Sequence, residues 1–187
     1  MVMGVYLDDC DSGELVCNNI FYKTGWSAFV GGGRYNTISN NLFIECTSAL
    51  HLDDRGLKRA RPGEGTKDGW DLLAKIQMYN YQQSPWKDRY PWLVNVMDDE
   101  PKLPLHTAFM NNVAVNCPLF FQMHGTVKKT VLNRLDFHDN LAVGPINKRD
   151  TDSFPQEQET MRKRVTLTAE ALPFAQEIGR ASCRERV

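Results

Sequence analysis

Several features are scarce in this chain of 187 residues. The formal net charge is only −1, so there is no excess of positive charge to attract nucleic acid or an anionic membrane. No uninterrupted apolar run approaches the roughly 20 residues of a membrane-spanning helix. The opening residues, MVMGVYLDD, lack both the basic and the apolar stretch of a signal peptide. We therefore expect no nucleic-acid partner and no membrane span, and the oligomeric state stays open.

Cysteine is also sparse, and its spacing excludes a common kind of metal site. The cysteines form no CxxC pair, so a zinc site is not expected. Cys46 and Cys117 occupy equivalent positions of the repeat described next. We expect them to be stacked, buried free thiols, with a disulfide as the second interpretation.

What the chain does contain is an internal repeat built on paired polar residues. Four segments align: NNIFYKTGWSAFVGGG, NNLFIECTSALHLDDR, NNVAVNCPLFFQMHG and a decayed DNLAVG, which begin at Asn18, Asn40, Asn111 and Asp139. Each segment contains two short stretches of alternating apolar residues separated by a turn, which is typical of β-strands. Units that cannot bury their own apolar face must stack on their neighbours. The repeated asparagine suits a turn at which side-chain amides of stacked units hydrogen-bond to one another.

This pattern resembles the right-handed parallel β-helix proteins of the pectate-lyase-like kind. The resemblance implies an all-β solenoid with coils at residues 1–56 and 106–147 and a partly helical, aromatic-rich insertion at residues 57–105. Residues 148–177 are interpreted as an exit segment. Residues Ile178–Val187, IGRASCRERV, resemble a translated sequencing adapter and are excluded from the fold. Met1 lies almost inside a strand-like segment, so we expect a fragment of a larger protein that has further coils before it.

The repeat register places acidic residues on one face. Aligning GVYLDDCD with ALHLDDRG puts Asp8 and Asp53 in one column, with Gly31 between them. Adjacent parallel strands lie about 4.8 Å apart, so the two aspartate backbones should be about 9–10 Å apart. The glycines GGG leave the space between them free of side chains, which predicts an acidic notch.

A carboxylate pair at that separation suits glycoside hydrolysis. One acid protonates the leaving oxygen while the other activates water, and a separation of roughly 6.5–9.5 Å favours inversion. Asp8 and Asp53 are the predicted catalytic residues, with Asp9 and Asp54 as second choices. Turn capping by these aspartates is the structural alternative. No metal site is firmly predicted and no cofactor is required, although Ca²⁺ is a candidate because it takes oxygen ligands without a strict motif.

Residues around the notch and on the insertion are candidates for substrate contacts. Flat aromatic rings beside an acidic cleft suit stacking on sugars. The tryptophans of the insertion could instead attach it to the sheets. The predicted substrate-binding residues are Tyr6, Gly31, Gly32, His51, Arg55, Trp70, Trp86, Trp92 and His124.

We therefore expect a carbohydrate-active enzyme, a glycoside hydrolase acting on a polysaccharide or oligosaccharide. The likeness to bacterial β-helical hydrolases implies a secreted or periplasmic parent protein. One alternative is a polysaccharide lyase that uses Ca²⁺ on the aspartates and a basic residue, His51, Arg55 or Lys58, to remove a proton. The other is a non-catalytic glycan-binding or adhesion module in which the aromatic insertion binds the ligand.

Overall fold

The computed structural model describes residues 2–59, 71–123, 131–144 and 165–168. Within these ranges the chain forms short β-strands, interrupted by an excursion that contains most of the helical residues. The strands are three to five residues long, which matches the short alternating runs in the sequence.

The strands form three parallel sheets. The first sheet contains β1 (Met3–Leu7), β4 (Trp26–Val30), β7 (Ser48–Leu52) and β10 (Leu119–Met123), in that spatial order. The second contains β2 (Leu15–Cys17), β5 (Thr37–Ser39), β8 (Ala108–Met110) and β11 (Asp136–His138). The third contains β3 (Ile20–Tyr22), β6 (Leu42–Ile44), β9 (Val113–Val115), β12 (Asn140–Val143) and β13 (Val165–Thr168).

Up to β12, each sheet receives every third strand of the chain, and every described strand pair is parallel. The predicted architecture of parallel sheets with a few helices is therefore confirmed. The resemblance to pectate-lyase-like β-helices is not, because three separate sheets of very short strands do not by themselves identify that family. The last strand, β13, pairs with β12 and lies within residues 148–177, which the sequence suggested as an exit segment.

The predicted register of the first sheet is confirmed. Leu7, Val30, Leu52 and Met123 are partners across successive strands, as are Tyr6, Phe29, His51 and Gln122. The first column is buried. The second column alternates with it and therefore lies on the opposite face of the sheet, yet Phe29 there is only 3% exposed and His51 only 2%. The two rings are covered because they stack on each other with centroids 3.9 Å apart, beneath Tyr6 and Trp26.

The apolar core lies among the three sheets. Its largest fully buried side chains include Phe43, Phe109, Ile38, Leu50 and Leu52. Aromatic rings also stack between neighbouring strands, since the ring centroids of Phe21 and Phe43 lie 4.9 Å apart and the ring planes are nearly parallel. A single unit is too small to enclose an apolar core, so the units bury their apolar side chains by stacking on one another.

A ladder of asparagine side chains runs through the stack, as the sequence predicted. The backbone N–H and Nδ2 of Asn19 both donate to Oδ1 of Asn41 at 3.1 Å. Asn41 makes the same pair of bonds to Asn112, and Asn112 makes it to Asn140, at 3.0–3.1 Å. The three later members are buried, so these bonds satisfy polar groups that would otherwise be costly to enclose.

The residue before each ladder asparagine explains why the polar residues come in pairs. Asn18, Asn40, Asn111 and Asp139 have φ angles of 59°, 54°, 55° and 52°. Asparagine and aspartate tolerate this left-handed conformation better than most residues with a side chain. The first residue of each pair therefore makes the turn and the second forms the ladder.

Cys46 and Cys117 are buried free thiols, as expected, and Cys10 and Cys17 are also unbridged. The two buried thiols interact directly. A hydrogen bond from the Cys117 thiol lowers the pKa of Cys46, and the same contact raises the pKa of Cys117. The stacked-thiol interpretation is confirmed and the disulfide is not.

The excursion between β7 and β8 contains α1 (Arg55–Arg59), α2 (Leu72–Met78), α3 (Trp86–Arg89) and a 3₁₀ segment (Pro91–Asp98). The helical part expected of the insertion includes α2, which Asp71 caps by accepting a hydrogen bond from the Ala74 N–H at 3.2 Å. Pro85 and Pro91 bound α3, so no long helix forms there.

The ladder predicts a position-dependent cost of losing one asparagine. Asn112→Ala leaves two donors of the buried Asn41 without their acceptor, so we expect a loss of about 2–4 kcal/mol in the free energy of unfolding. Asn19→Ala, at the exposed edge, should cost less than about 1 kcal/mol. Denaturant unfolding of both variants measures the difference. Equal losses would contradict the dependence on position, and negligible losses in both variants would show that the ladder does not stabilise the stack.

Candidate functional site

The predicted notch between Asp8 and Asp53 is filled by the side chain of Arg55. A Cβ atom built on Gly31 would lie 2.8 Å from Arg55 Cζ, and one built on Gly32 would lie 2.8 Å from Arg55 Cγ. Glycine is therefore needed at both positions, because the side chain of Arg55 occupies the space that a Cβ atom would take. The predicted notch is consequently not open.

Arg55 joins the two predicted catalytic aspartates. Its Nε lies 3.1 and 3.0 Å from the two carboxylate oxygens of Asp53, and its Nη2 lies 2.8 Å from Asp53 Oδ2. Its Nη1 forms an ion pair with Asp8, donates to Tyr6 Oη at 2.8 Å and lies 3.6 Å from Asp9 Oδ1. One guanidinium thus gathers the acidic residues that the repeat placed in register.

These contacts keep Asp53 ionised. Burial alone would raise the pKa of Asp53, but its interactions with His51 and Arg55 lower it to about 2. The same carboxylate raises the pKa of Arg55 despite its partial burial. A general acid in glycoside hydrolysis needs a raised pKa, so this geometry does not suit Asp53 to that role.

The neighbouring aspartates also serve the local turns. Asp53 Oδ1 accepts from the Arg55 N–H at 3.1 Å, and the Asp54 carbonyl accepts from the Leu57 N–H at 2.9 Å, at the start of α1. Asp8 Oδ1 accepts from the Asp9 N–H at 2.8 Å, where Asp9 has a φ of 43°. The LDD sequence therefore forms turns at both sites, in agreement with the structural alternative.

His51 is enclosed rather than open to a ligand. Its ring packs against those of Phe29 and Trp26, with centroids 3.9 and 5.2 Å away, and its Nε2 is 4.0 Å from Asp53 Oδ2. The residue is only 2% exposed. His51 therefore lies against Asp53 and does not line a binding surface.

An aromatic cavity of about 470 Å³ lies beside this cluster, between the strand ends and the excursion. Its aromatic wall is formed by Tyr35, Trp86, Tyr90 and Trp92. Successive ring centroids along the order Tyr35, Trp92, Tyr90, Trp86 are 5.7, 5.6 and 6.1 Å apart. We call these four residues the aromatic wall.

The floor of the cavity is anchored by Arg34, which is 5% exposed. Its Nη1 donates to the carbonyls of Glu100 and Leu103 at 2.9 and 2.8 Å, and its Nη2 pairs with Asp99. These bonds hold the returning end of the excursion against β4 and β5. His106 reinforces them because its Nε2 lies 2.6 Å from Asp99 Oδ2.

Predicted and observed site residues overlap in part. The cavity is lined by Trp86, Trp92, Gly32 and Asp9, whereas Tyr6, Asp8, Gly31, Asp53 and Arg55 form the neighbouring ionic cluster. Trp70 and His124 lie outside the described residues. The sequence did not single out Arg34 and Tyr35, although both directly follow the glycine triplet in GGGRYN.

No protein-family model, curated protein or solved structure matches this chain. The predicted membership of the pectate-lyase-like β-helix family is therefore wrong. The resemblance rested on strand alternation and paired asparagines, which can serve the stacking of short parallel strands outside that family.

Two findings bear on metals and membranes within the described ranges. No group of three or more His, Cys, Asp or Glu residues there could hold a metal ion. None of the helices in those ranges is both long and apolar enough to cross a bilayer.

The low pKa of Asp53 predicts a specific loss of stability in acid. A carboxyl whose folded pKa lies below its unfolded value stabilises the fold above the unfolded pKa, and loses this effect as the pH falls through the folded pKa. For a fall from 3.8 to about 2, this contribution is about 2 kcal/mol. Asp53→Asn should remove most of this dependence between about pH 5 and pH 2.

Urea unfolding at several pH values measures this effect, with the exposed Asp98 changed to Asn as the control. The control variant should lose as much stability in acid as the unsubstituted chain. If Asp53→Asn and the unsubstituted chain lose equal stability over this range, the Arg55–Asp53 pair does not lower the pKa of Asp53.

Proposed function

We propose that this chain binds an oligosaccharide or polysaccharide in the cavity lined by the aromatic wall. The observation that carries the proposal is the exposure of large rings beside polar groups in one cavity. Trp86, Tyr90 and Trp92 are 42%, 36% and 41% exposed. Large aromatic side chains exposed together commonly mark an interaction surface.

The arrangement of the rings suits a sugar chain. Sugars present apolar C–H faces that pack on flat rings and hydroxyl groups that need polar partners. The aromatic wall supplies a continuous row of rings, while Asp9 and Glu14 supply polar groups in the lining. The cavity volume of about 470 Å³ lies within the usual range for ligand sites.

Hydrolysis at Asp8 and Asp53 remains a prediction. The Arg55 side chain fills the notch in which a substrate would have to lie, and it pairs with both carboxylates. Ligand binding is thus better supported than catalysis. A lyase, whether or not it uses Ca²⁺, would act on uronates, whose negative charge is unfavourable beside the carboxylates in the cavity lining.

We further propose that the three sheets form one solenoid that winds in the right-handed sense and serves as a platform for the excursion. The regular use of every third strand by each sheet supports this, as does the continuous asparagine ladder. Crossovers between parallel strands are almost always right-handed. Secretion of the parent protein is a prediction that accompanies the glycan ligand.

Substitutions in the aromatic wall test the proposed function. Trp86→Ala and Trp92→Ala should each weaken by about tenfold the binding of a glycan that the unsubstituted chain binds, since a lost ring contact is worth about 1 kcal/mol or more. Tyr79→Ala is the matched control, because Tyr79 is 63% exposed on the same excursion but does not line the cavity.

Binding is measured by calorimetry on glycans first selected from an immobilised panel, with thermal unfolding to check that each variant is folded. Binding that is unchanged in both tryptophan variants, or absent across the panel, would contradict the proposal. New reducing ends that disappear in Asp8→Asn and Asp53→Asn would instead support the predicted hydrolase.

A further inference from the structure

We infer that the glycan bound by the aromatic wall carries protonated amino groups, so that its class is an amino-sugar oligosaccharide and not a uronate. This inference rests on the proposed function and specifies the ligand of the same cavity. It comes from the charges that line the cavity together with the rings.

Among the described residues, the charged ones that line the cavity are Asp9, Glu14 and Arg34. Asp9 is partly compensated, because its Oδ1 lies 3.6 Å from Arg55 Nη1. The positive charge of Arg34 is already compensated, because its guanidinium pairs with Asp99 and donates to two backbone carbonyls. Arg34 is also 5% exposed, so its charge is poorly placed to attract an anionic ligand. Glu14 then dominates the charge of the described part of the lining, which favours a positively charged ligand.

Glu14 provides the carboxylate that faces solvent. Its residue is exposed, and its backbone is fixed on both sides. The Glu14 N–H donates to Asn36 Oδ1 at 2.9 Å, and its carbonyl accepts from the Thr37 N–H at 2.8 Å. The carboxylate therefore extends from a rigid point of attachment between β1 and β2.

The aromatic wall adds a second attraction for cations. The face of an aromatic ring carries negative charge density, so an ammonium group close to the face of a tryptophan or tyrosine is stabilised. A neutral sugar gains only the packing on the rings. An ammonium-bearing sugar gains the packing, the attraction to the ring faces and pairing with Glu14, whereas a uronate is repelled by Glu14.

Four linear tetramers with the same linkage distinguish these classes: glucosamine, N-acetylglucosamine, glucose and glucuronate. At mildly acidic pH, where amines are protonated, the glucosamine tetramer should bind at least about tenfold more tightly than the glucose tetramer. The glucuronate tetramer should bind most weakly. Added salt should weaken the binding of glucosamine and leave that of glucose nearly unchanged.

Glu14→Gln should weaken the binding of the glucosamine tetramer by about threefold or more and leave the glucose tetramer unaffected. Glu45→Gln is the matched control, since Glu45 is paired with Lys23 after β6 and does not line the cavity.

Equal binding of all four tetramers, or tighter binding of glucuronate, would overturn the inference and leave glycan binding intact. A preference for glucosamine that is unchanged in Glu14→Gln would overturn the role of Glu14. Absence of binding by every tetramer, together with the panel of glycans, would overturn both this inference and the proposed function.

Discussion

The asparagine ladder is the constraint on which the rest of this structure depends. Parallel strands of three to five residues have few hydrogen bonds of their own to fix their register. The double donation from each asparagine to the next links the turns of successive units. Because the register is fixed, Gly31 lies between Asp8 and Asp53. The glycine triplet that contains Gly31 is followed directly by Arg34 and Tyr35, which line the cavity.

Arg55 and Arg34 connect the stack to the excursion at its two ends. Arg55 pairs with carboxylates from the end of β1 and the end of β7 as the chain leaves the sheets. Arg34, after β4, holds the returning chain through Asp99 and the carbonyls of Glu100 and Leu103. The aromatic wall is thus mounted between two buried or half-buried ion pairs, which keep its rings beside the strand ends.

Much of the fold could be predicted from the sequence, because periodicity fixes which residues pair. The register of the first sheet, the ladder and the stacked Cys46 and Cys117 all follow from the spacing of the repeat. The filling of the notch could not be predicted, since it depends on the direction in which the long side chain of Arg55 turns. The burial of His51 depends on ring stacking for the same reason. The prediction of the family was wrong because alternation and paired asparagines serve the stacking of short strands and do not identify a lineage.

The central claim is that the aromatic wall binds a sugar chain. The most direct measurement is a titration with the glucosamine tetramer that follows the indole N–H signals of the tryptophans by NMR. We expect the signals of Trp86 and Trp92 to shift with a common saturation curve. Trp26, which stacks on His51 within the first sheet, should not shift. Saturable shifts at Trp26 alone, or none at Trp86 and Trp92 while the ligand binds elsewhere, would contradict the account.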